Sequence, residues 1–250
     1  MSGHSKWSTI KRRKGAQDAK RSQAFAKLLR AIEVAAREGG PSVDANMTLA
    51  SAVDKARDAS VPWDNIERAI KRGGGAEEGG ARYEEAVYEG YGPAGVAILI
   101  EAMTDNRNRT GQEIRHAFSR HSGNLGEQGS VAWMFTRRGL IEIEKATAPP
   151  EDRILEVIVE AGADDLTDAG DQWEIVTDPE SLRDVRASLE GAGIPIASAE
   201  LTMLPQTTVP VGADRAASVL RLIEALEDLD DVQTVHANFD IPDEVLAEVG

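Results

Sequence analysis

Residues 205–240, PQTTVPVGADRAASVLRLIEALEDLDDVQTVHANFD, decide how this chain is assembled, because they hold too few extended segments to make a sheet of their own. A short strand is expected around Val209. From Asp214 to Leu229 the apolar residues Leu220, Ile223 and Leu226 recur at helical spacing and define one inward face. Val232–Ala237 then returns to an extended pattern. A helix flanked by lone strands buries its apolar face only against strands from elsewhere, so the segment is expected to complete a sheet begun near residue 86.

What lies between supplies its own sheet. Strand Leu140–Glu144, helix Pro150–Ala161, a strand near Asp164–Thr167, strand Trp173–Thr177, helix Pro179–Glu190 and strand Ile196–Leu204 follow the order βαββαβ. That is the ferredoxin-like pattern, and its position makes it an insertion. The interrupted domain starts with strand Ala86–Tyr91, a Gly92-Pro93-Ala94-Gly95 turn and the apolar run Val96–Met103. Thr104–Arg109 leads into a helix for which Thr110-x-x-Glu113 reads as a capping box, with Ile114, Ala117 and Phe118 inward. Ser130–Phe135 reads as a further strand in which Trp133 and Phe135 alternate.

Towards the N-terminus the period is helical. Phe25, Leu28, Leu29, Ile32 and Ala36 share one arc of a helix that Gly39-Gly40-Pro41 stops. A second helix begins near Asn46 with Leu49, Val53 and Ala56 inward. A third has Pro62 at its start, Asp64 and Glu67 near its positive end, Lys71 and Arg72 near its negative end and Gly73 beyond, with Trp63, Ile66 and Ile70 apolar. Gly73–Gly75 and Gly79-Gly80 read as a hinge, and match no phosphate loop. The expected class is α+β: an N-terminal three-helix module plus two α+β domains, the third ferredoxin-like and inserted in the second. The boundaries are 1–75 for the basic arm and helical domain, 80–136 plus 205–241 for the middle domain, and 137–204 for the insert.

Charge is segregated along this plan. Residues 1–37 carry ten Lys or Arg against Asp18 and Glu33, a net of +8, which leaves −23 for the remainder of a chain whose total is −15. Folding alone has no use for such a division, whereas contact with a polyanion does. Lys20, Lys27, Arg30 and Arg37 fall opposite the apolar arc of the first helix and extend the Lys11-Arg12-Arg13-Lys14 cluster as a stripe, with Lys6 ahead of it. Clustered Lys and Arg are an electrostatic footprint for phosphates. Trp7 among these cations either stacks on a base or caps the helical core. Asp105–Arg109, with Arg115 and Arg120 beyond, offers a second candidate: Arg107 and Arg109 beside helix-start amides suit a phosphate, or they pair with acidic neighbours.

Catalytic signals are lacking. With no Cys there is neither a disulfide scaffold nor a thiol nucleophile. His116 and His121 are five apart, about 140° around a helix, which does not suit a shared metal. His4 and His236 have no carboxylate pattern near them in sequence, and the pairs Asp164-Asp165 and Asp230-Asp231 read as solvated loop charge. GxGxxG, GxSxG and Walker motifs are absent. Neither an enzyme nor a metal or other cofactor is expected, and no small-molecule substrate. The sequence has no apolar run long enough to cross a membrane and no apolar secretory core, so it reads as cytoplasmic without a membrane partner.

The segments GHSKW, IKRRK and QDAKR, then KARDASVPWDNIERAIKRG, EGYGPAGVAILIEAMTDNRNRT, EIRHAFSRHSGNLGEQGSVAWMF and ALEDLDDVQTVHANFDIPDE, closely resemble the YebC/PmpR family of bacterial regulators over nearly the whole chain. Its mitochondrial relatives are translational activators of cytochrome oxidase. The resemblance implies three domains, a cytoplasmic location and nucleic-acid binding without catalysis. It matches the family's basic motif at Lys6, Lys11, Arg12, Arg13, Lys14, Lys20 and Arg21, while Gln23 stands where a basic residue is common. Two roles follow from it: a DNA-binding transcriptional regulator, or a ribosome-associated factor that binds ribosomal RNA and relieves stalling at proline-rich stretches. Only Gln17 and Gln23 in the arm are amides suited to reading base edges. Phosphates are common to DNA and RNA, so the charge argument applies to both.

Overall fold

The computed structural model describes residues 18–75, 83–242 and 244–246. Three helices come first: α1 (Asp18–Gly39), α2 (Met47–Asp58) and α3 (Trp63–Gly73). Ile32, Ala35 and Ala36 of α1 pack with Leu49, Val53 and Ala56 of α2 and Ile66 and Ala69 of α3. Asn46 joins the first two helices. Its Oδ1 accepts from Leu49 N at 3.0 Å, capping α2, while its Nδ2 donates to Ala35 O at 2.8 Å and Gly40 O at 2.9 Å. Gly73 is required by close approach, since a Cβ there would collide with Glu33 O and Ala36 Cβ of α1. Trp63, expected on the apolar side, is exposed instead, and Ile66 is the buried anchor of α3.

The sheet of the middle domain has the order β3-β1-β2-β9. It is built from β1 (Glu84–Tyr91), β2 (Ala97–Thr104), the two-residue β3 (Asn124–Leu125) and β9 (Val232–Ala237). Every pairing in it is antiparallel. The late strand β9 lies against β2, with His236 opposite Leu99 and Val235 opposite Ile100, as the segment quoted first requires. Helices α4 (Arg107–Arg120) and α7 (Ala213–Glu227) cover one face, where Ile98, Ile100, Ile114, Phe118, Leu222, Ile223, Val235 and Phe239 form a common core. Strands β8 (Val209–Pro210) and β10 (Phe239–Asp240) pair in parallel beside it.

Two local expectations change here. Asn106, not Thr110, caps α4: its Oδ1 accepts from Arg109 N at 3.1 Å, and Thr110 sits buried in the first turn. The region read as a strand from Ser130 to Phe135 is a loop with a 3-10 turn over Ala132–Met134, and the strand begins at Phe135.

Phe135–Leu204 forms a separate compact unit. Its elements are β4 (Phe135–Glu144), α5 (Glu151–Ala161), β5 (Ala163–Asp168), β6 (Gln172–Thr177), α6 (Leu182–Gly191) and β7 (Ser198–Pro205). The sheet order β5-β6-β4-β7, with β4–β6 and β5–β6 antiparallel, is ferredoxin-like. Ile141, Ile143 and Ile175 meet Ile154, Ile158, Val185 and Leu189 in its core. The chain leaves and re-enters the larger unit at one point, since Gln206 N donates to Met134 O at 2.8 Å.

Candidate nucleic-acid interface

Lys6, Trp7, Lys11, Arg12, Arg13 and Lys14 lie outside the described residues. Lys20 and Arg21 fall in the first turn of α1, their side chains also outside the description. The rest of the stripe faces the chain's own acceptors rather than open solvent. Lys27 Nζ donates to Glu227 O at 2.6 Å, and Gln23 Nε2 donates to Asp228 O and Asp230 Oδ1, both at 2.9 Å. The two carbonyls are at the C-terminal end of α7, where they lack helical partners and the helix dipole favours a cation, and Asp230 follows that end. Gln23 therefore serves this junction by hydrogen bonding, which needs no charge.

Arg30 goes deeper. Its Nη1 donates to Asp230 O at 2.9 Å, Met103 O at 3.3 Å and Asp231 Oδ1 at 3.2 Å, and the guanidinium lies 4.4 Å from the centre of the Tyr83 ring. Arg37 pairs with Glu33 at 3.2 Å and donates to Tyr83 O.

Asp231, read from sequence as solvated loop charge, is the centre of this junction and only 4 % exposed. Thr110 Oγ1 and Arg109 Nη2 both donate to its Oδ2 at 2.6 Å, while Arg30 reaches its other oxygen. Thr104 Oγ1 sits 2.7 Å from Thr110 Oγ1 and accepts from Asn106 N. Burial alone would raise the Asp231 carboxyl; hydrogen bonds from Thr110 and Arg109, and the Arg109 charge, outweigh it and hold the group below its ordinary value. The TDNRNRT segment thus builds a buried carboxylate socket. Arg109 also pairs with Asp105 at 2.9 Å, and Arg107 with Glu84 at 2.8 Å and with Glu85 O. Of the two readings open for these arginines, pairing with acidic neighbours is the geometry observed. Arg115 and Arg120 are exposed on α4.

On the other side of β1 a second carboxylate organises a loop. Glu89, 3 % exposed, accepts from Gly129 N at 2.6 Å and from Val131 N and Ala132 N at 2.7 Å. Desolvation would raise its carboxyl, but these three backbone donors together lower it. The loop it holds carries Trp133.

His236, which sequence leaves without a partner, is buried on β9 with Nε2 3.2 Å from Glu101 Oε2 on β2. Strand pairing brings these two together across 135 positions, a proximity with no local signature. Among the described residues no group of three His, Asp or Glu comes together to hold a metal, and no helix is long and apolar enough to cross a membrane.

Comparison with known proteins places this architecture. A family model described as the TACO1/YebC protein N-terminal domain matches residues 5–76, and one described as the TACO1/YebC second and third domain matches residues 83–239. A protein of Rubrobacter xylanophilus named "Probable transcriptional regulatory protein" is 55 % identical over 249 residues, covering 100 % of this chain and 99 % of its own length. One of the same name from Acidothermus cellulolyticus is 53 % identical, with 100 % of both chains covered. The crystal structure of a conserved hypothetical protein from Aquifex aeolicus superposes with a TM-score of 0.82 at 47 % identity, covering 92 % of this chain and 94 % of that one.

Proposed function

Since the chain belongs to the TACO1/YebC family, we propose that it is a nucleic-acid-binding regulator of gene expression, acting on transcription, that grips phosphates through its basic N-terminal arm. The observation behind this is the charge division: +8 within residues 1–37 of a chain whose total is −15. An acidic body repels a polyanion, so affinity has to come from the arm, and the body limits contact elsewhere. Lys27, Arg30, Arg107 and Arg109 already hold internal acceptors, so they reach phosphate only by exchanging those partners. Lys6, Lys11, Arg12, Arg13, Lys14, Lys20 and Arg21 are the proposed primary contacts. The proposed mechanism is binding alone, with no catalytic step.

The test is salt-dependent binding. If about five arm cations meet phosphates, log K falls against log salt with a slope of roughly −3.5 on single strands to −4.5 on duplex. Replacing Lys11, Arg12, Arg13 and Lys14 together by Ala should flatten that slope by two or more units. An unchanged slope would remove the arm from the interface. Crosslinking in cells followed by sequencing of the bound nucleic acid separates the two roles: promoter fragments support action on transcription, and ribosomal RNA would replace it by action on translation.

A further inference from the structure

Aromatic residues are 4 % of this chain, so a ring left in solvent stands out. Most of the described rings are covered: Phe118 and Phe239 are in the core, Tyr83 lies under Arg30, and Trp173 lies under Lys145. Trp133 is 66 % exposed and Tyr91 38 % exposed. These two meet. Tyr91 Oη donates to Ser130 O at 3.0 Å, and Trp133 Nε1 donates to the same carbonyl at 3.2 Å. Both polar ring atoms are thereby engaged within the protein, so the ring surface left in solvent is carbon. The support is stiff, because the buried Glu89 carboxylate holds the loop at Gly129, Val131 and Ala132. Asn124 stands opposite Tyr91 in the β1–β3 register and is exposed, as is Gln128 in the loop.

We infer that Trp133 and Tyr91 form a stacking platform for an unpaired nucleobase, with Asn124 and Gln128 placed to bond its edge. This rests on the nucleic-acid reading above and specifies the form of the ligand. Size supports a base. The exposed apolar side chains here are two rings and Val87 on the same face of β1, far short of the roughly 800 Å² per partner of a stable protein interface, whereas a base matches an indole in area. Charge orients the strand rather than attracting it: exposed Glu127 in this loop and the net-negative remainder of the chain repel phosphate, so the uncharged base is the part that faces the rings, with its sugar-phosphate backbone turned away from the loop. The arm would then hold the backbone and the platform one base, which demands a strand open at that point.

The experiment measures binding of the full-length protein to a mixed-sequence single-stranded RNA, the same sequence as single-stranded DNA, and its duplex, each across a salt series. Trp133→Ala should weaken single-strand binding about five- to 150-fold, the effect of one lost stack, leaving the salt slope and duplex binding unchanged. Trp133→Phe should recover most of the loss, and Trp63→Ala, at an exposed tryptophan in the helical module, should have no effect. Equal losses on RNA and DNA support a platform for any unpaired base, and a loss on RNA alone supports a ribose-dependent one. Unchanged single-strand binding by Trp133→Ala, with the arm variant still flattening the slope, overturns the platform and leaves the arm reading intact. A loss of duplex binding equal to the single-strand loss also overturns it. Wild-type protein that binds no nucleic acid refutes both, and capture of a protein partner that Trp133→Ala abolishes, with nucleic-acid binding unchanged, replaces the base by a protein.

Discussion

Asp231→Asn tests the junction that joins the helical module to the middle domain. The substitution keeps the shape of the side chain and removes its charge. Three donors converge on the native carboxylate: Thr110 at 2.6 Å, Arg30 at 3.2 Å and Arg109 at 2.6 Å. Hydrogen bonds to a charged group contribute about 1.5–3 kcal/mol each. Thr110 is buried and the Arg30 side chain is 16 % exposed, so both are counted, each near the low end because the remaining amide oxygen of Asn still accepts a bond. Arg109 is solvent-screened and is left out. The expected loss at pH 7 is therefore about 3 kcal/mol. Because Phe135–Leu204 is a separate unit and need not unfold with the rest, urea unfolding should be followed by hydrogen exchange, peptide by peptide. Protection should fall in α1, α4 and β9 and stay constant in the ferredoxin-like unit. In a double-mutant cycle with Arg30→Gln, the shared loss should appear as a coupling of about 1 kcal/mol or more.

The pH dependence has a definite sign. The folded-state pKa of Asp231 is depressed, so its contribution is fully present above the unfolded value of about 3.9 and is lost as pH falls through the lower folded value. The gap between wild type and Asp231→Asn should close in that acid window and hold steady from pH 5 to 8. A variant within about 0.5 kcal/mol of wild type at pH 7, the range of an ordinary surface substitution, with the same acid limb, would refute the buried-hub account.

Ile32→Ala, at a side chain with 0 % exposure in the helical core, should cost about 3 kcal/mol by urea unfolding, and Phe25→Ala less, since that ring is only partly buried. Glu89→Gln should destabilise the middle domain by about 1–3 kcal/mol, because one amide oxygen cannot accept from all three N–H groups that converge on the carboxylate, that of buried Val131 among them, and should flatten its acid limb as well; an unchanged melting curve would show that the loop needs no such anchor. Replacing residues 138–203 by a short Gly/Ser link should leave the rest folded by NMR, since Gln206 N and Met134 O are already 2.8 Å apart. Collapse of that protein, with 80–137 folding alone, would reverse the inserted-domain reading. Chelation should leave melting and binding unchanged, and a stoichiometric metal lost together with binding would contradict this.

The sequence by itself determined the elements and their order. Helical and strand periods are set by neighbours a few positions apart, so the three helices, the βαββαβ run and the strand at 232–237 were all legible without coordinates. The inserted topology also followed, because a helix flanked by lone strands has no sheet to bury against except an earlier one. The arm's charge likewise needs no structure to count. The misreadings came where a side chain's partner is distant in sequence. Asp231 looks like one of 43 acidic residues until the β2–β9 pairing and the docking of α1 place Arg30, Arg109 and Thr110 around it. Lys27 and Arg30 lie opposite an apolar arc and so read as solvent-facing, yet a helix has more than two sides, and a second domain covers theirs. Glu101 and His236 meet, and Tyr91 and Trp133 come to share the Ser130 carbonyl, only through strand register and loop path. Pattern within a segment reports which face is apolar, whereas which polar groups are desolvated together is decided by how segments dock, and in this chain that docking created both the carboxylate hub and the exposed aromatic pair.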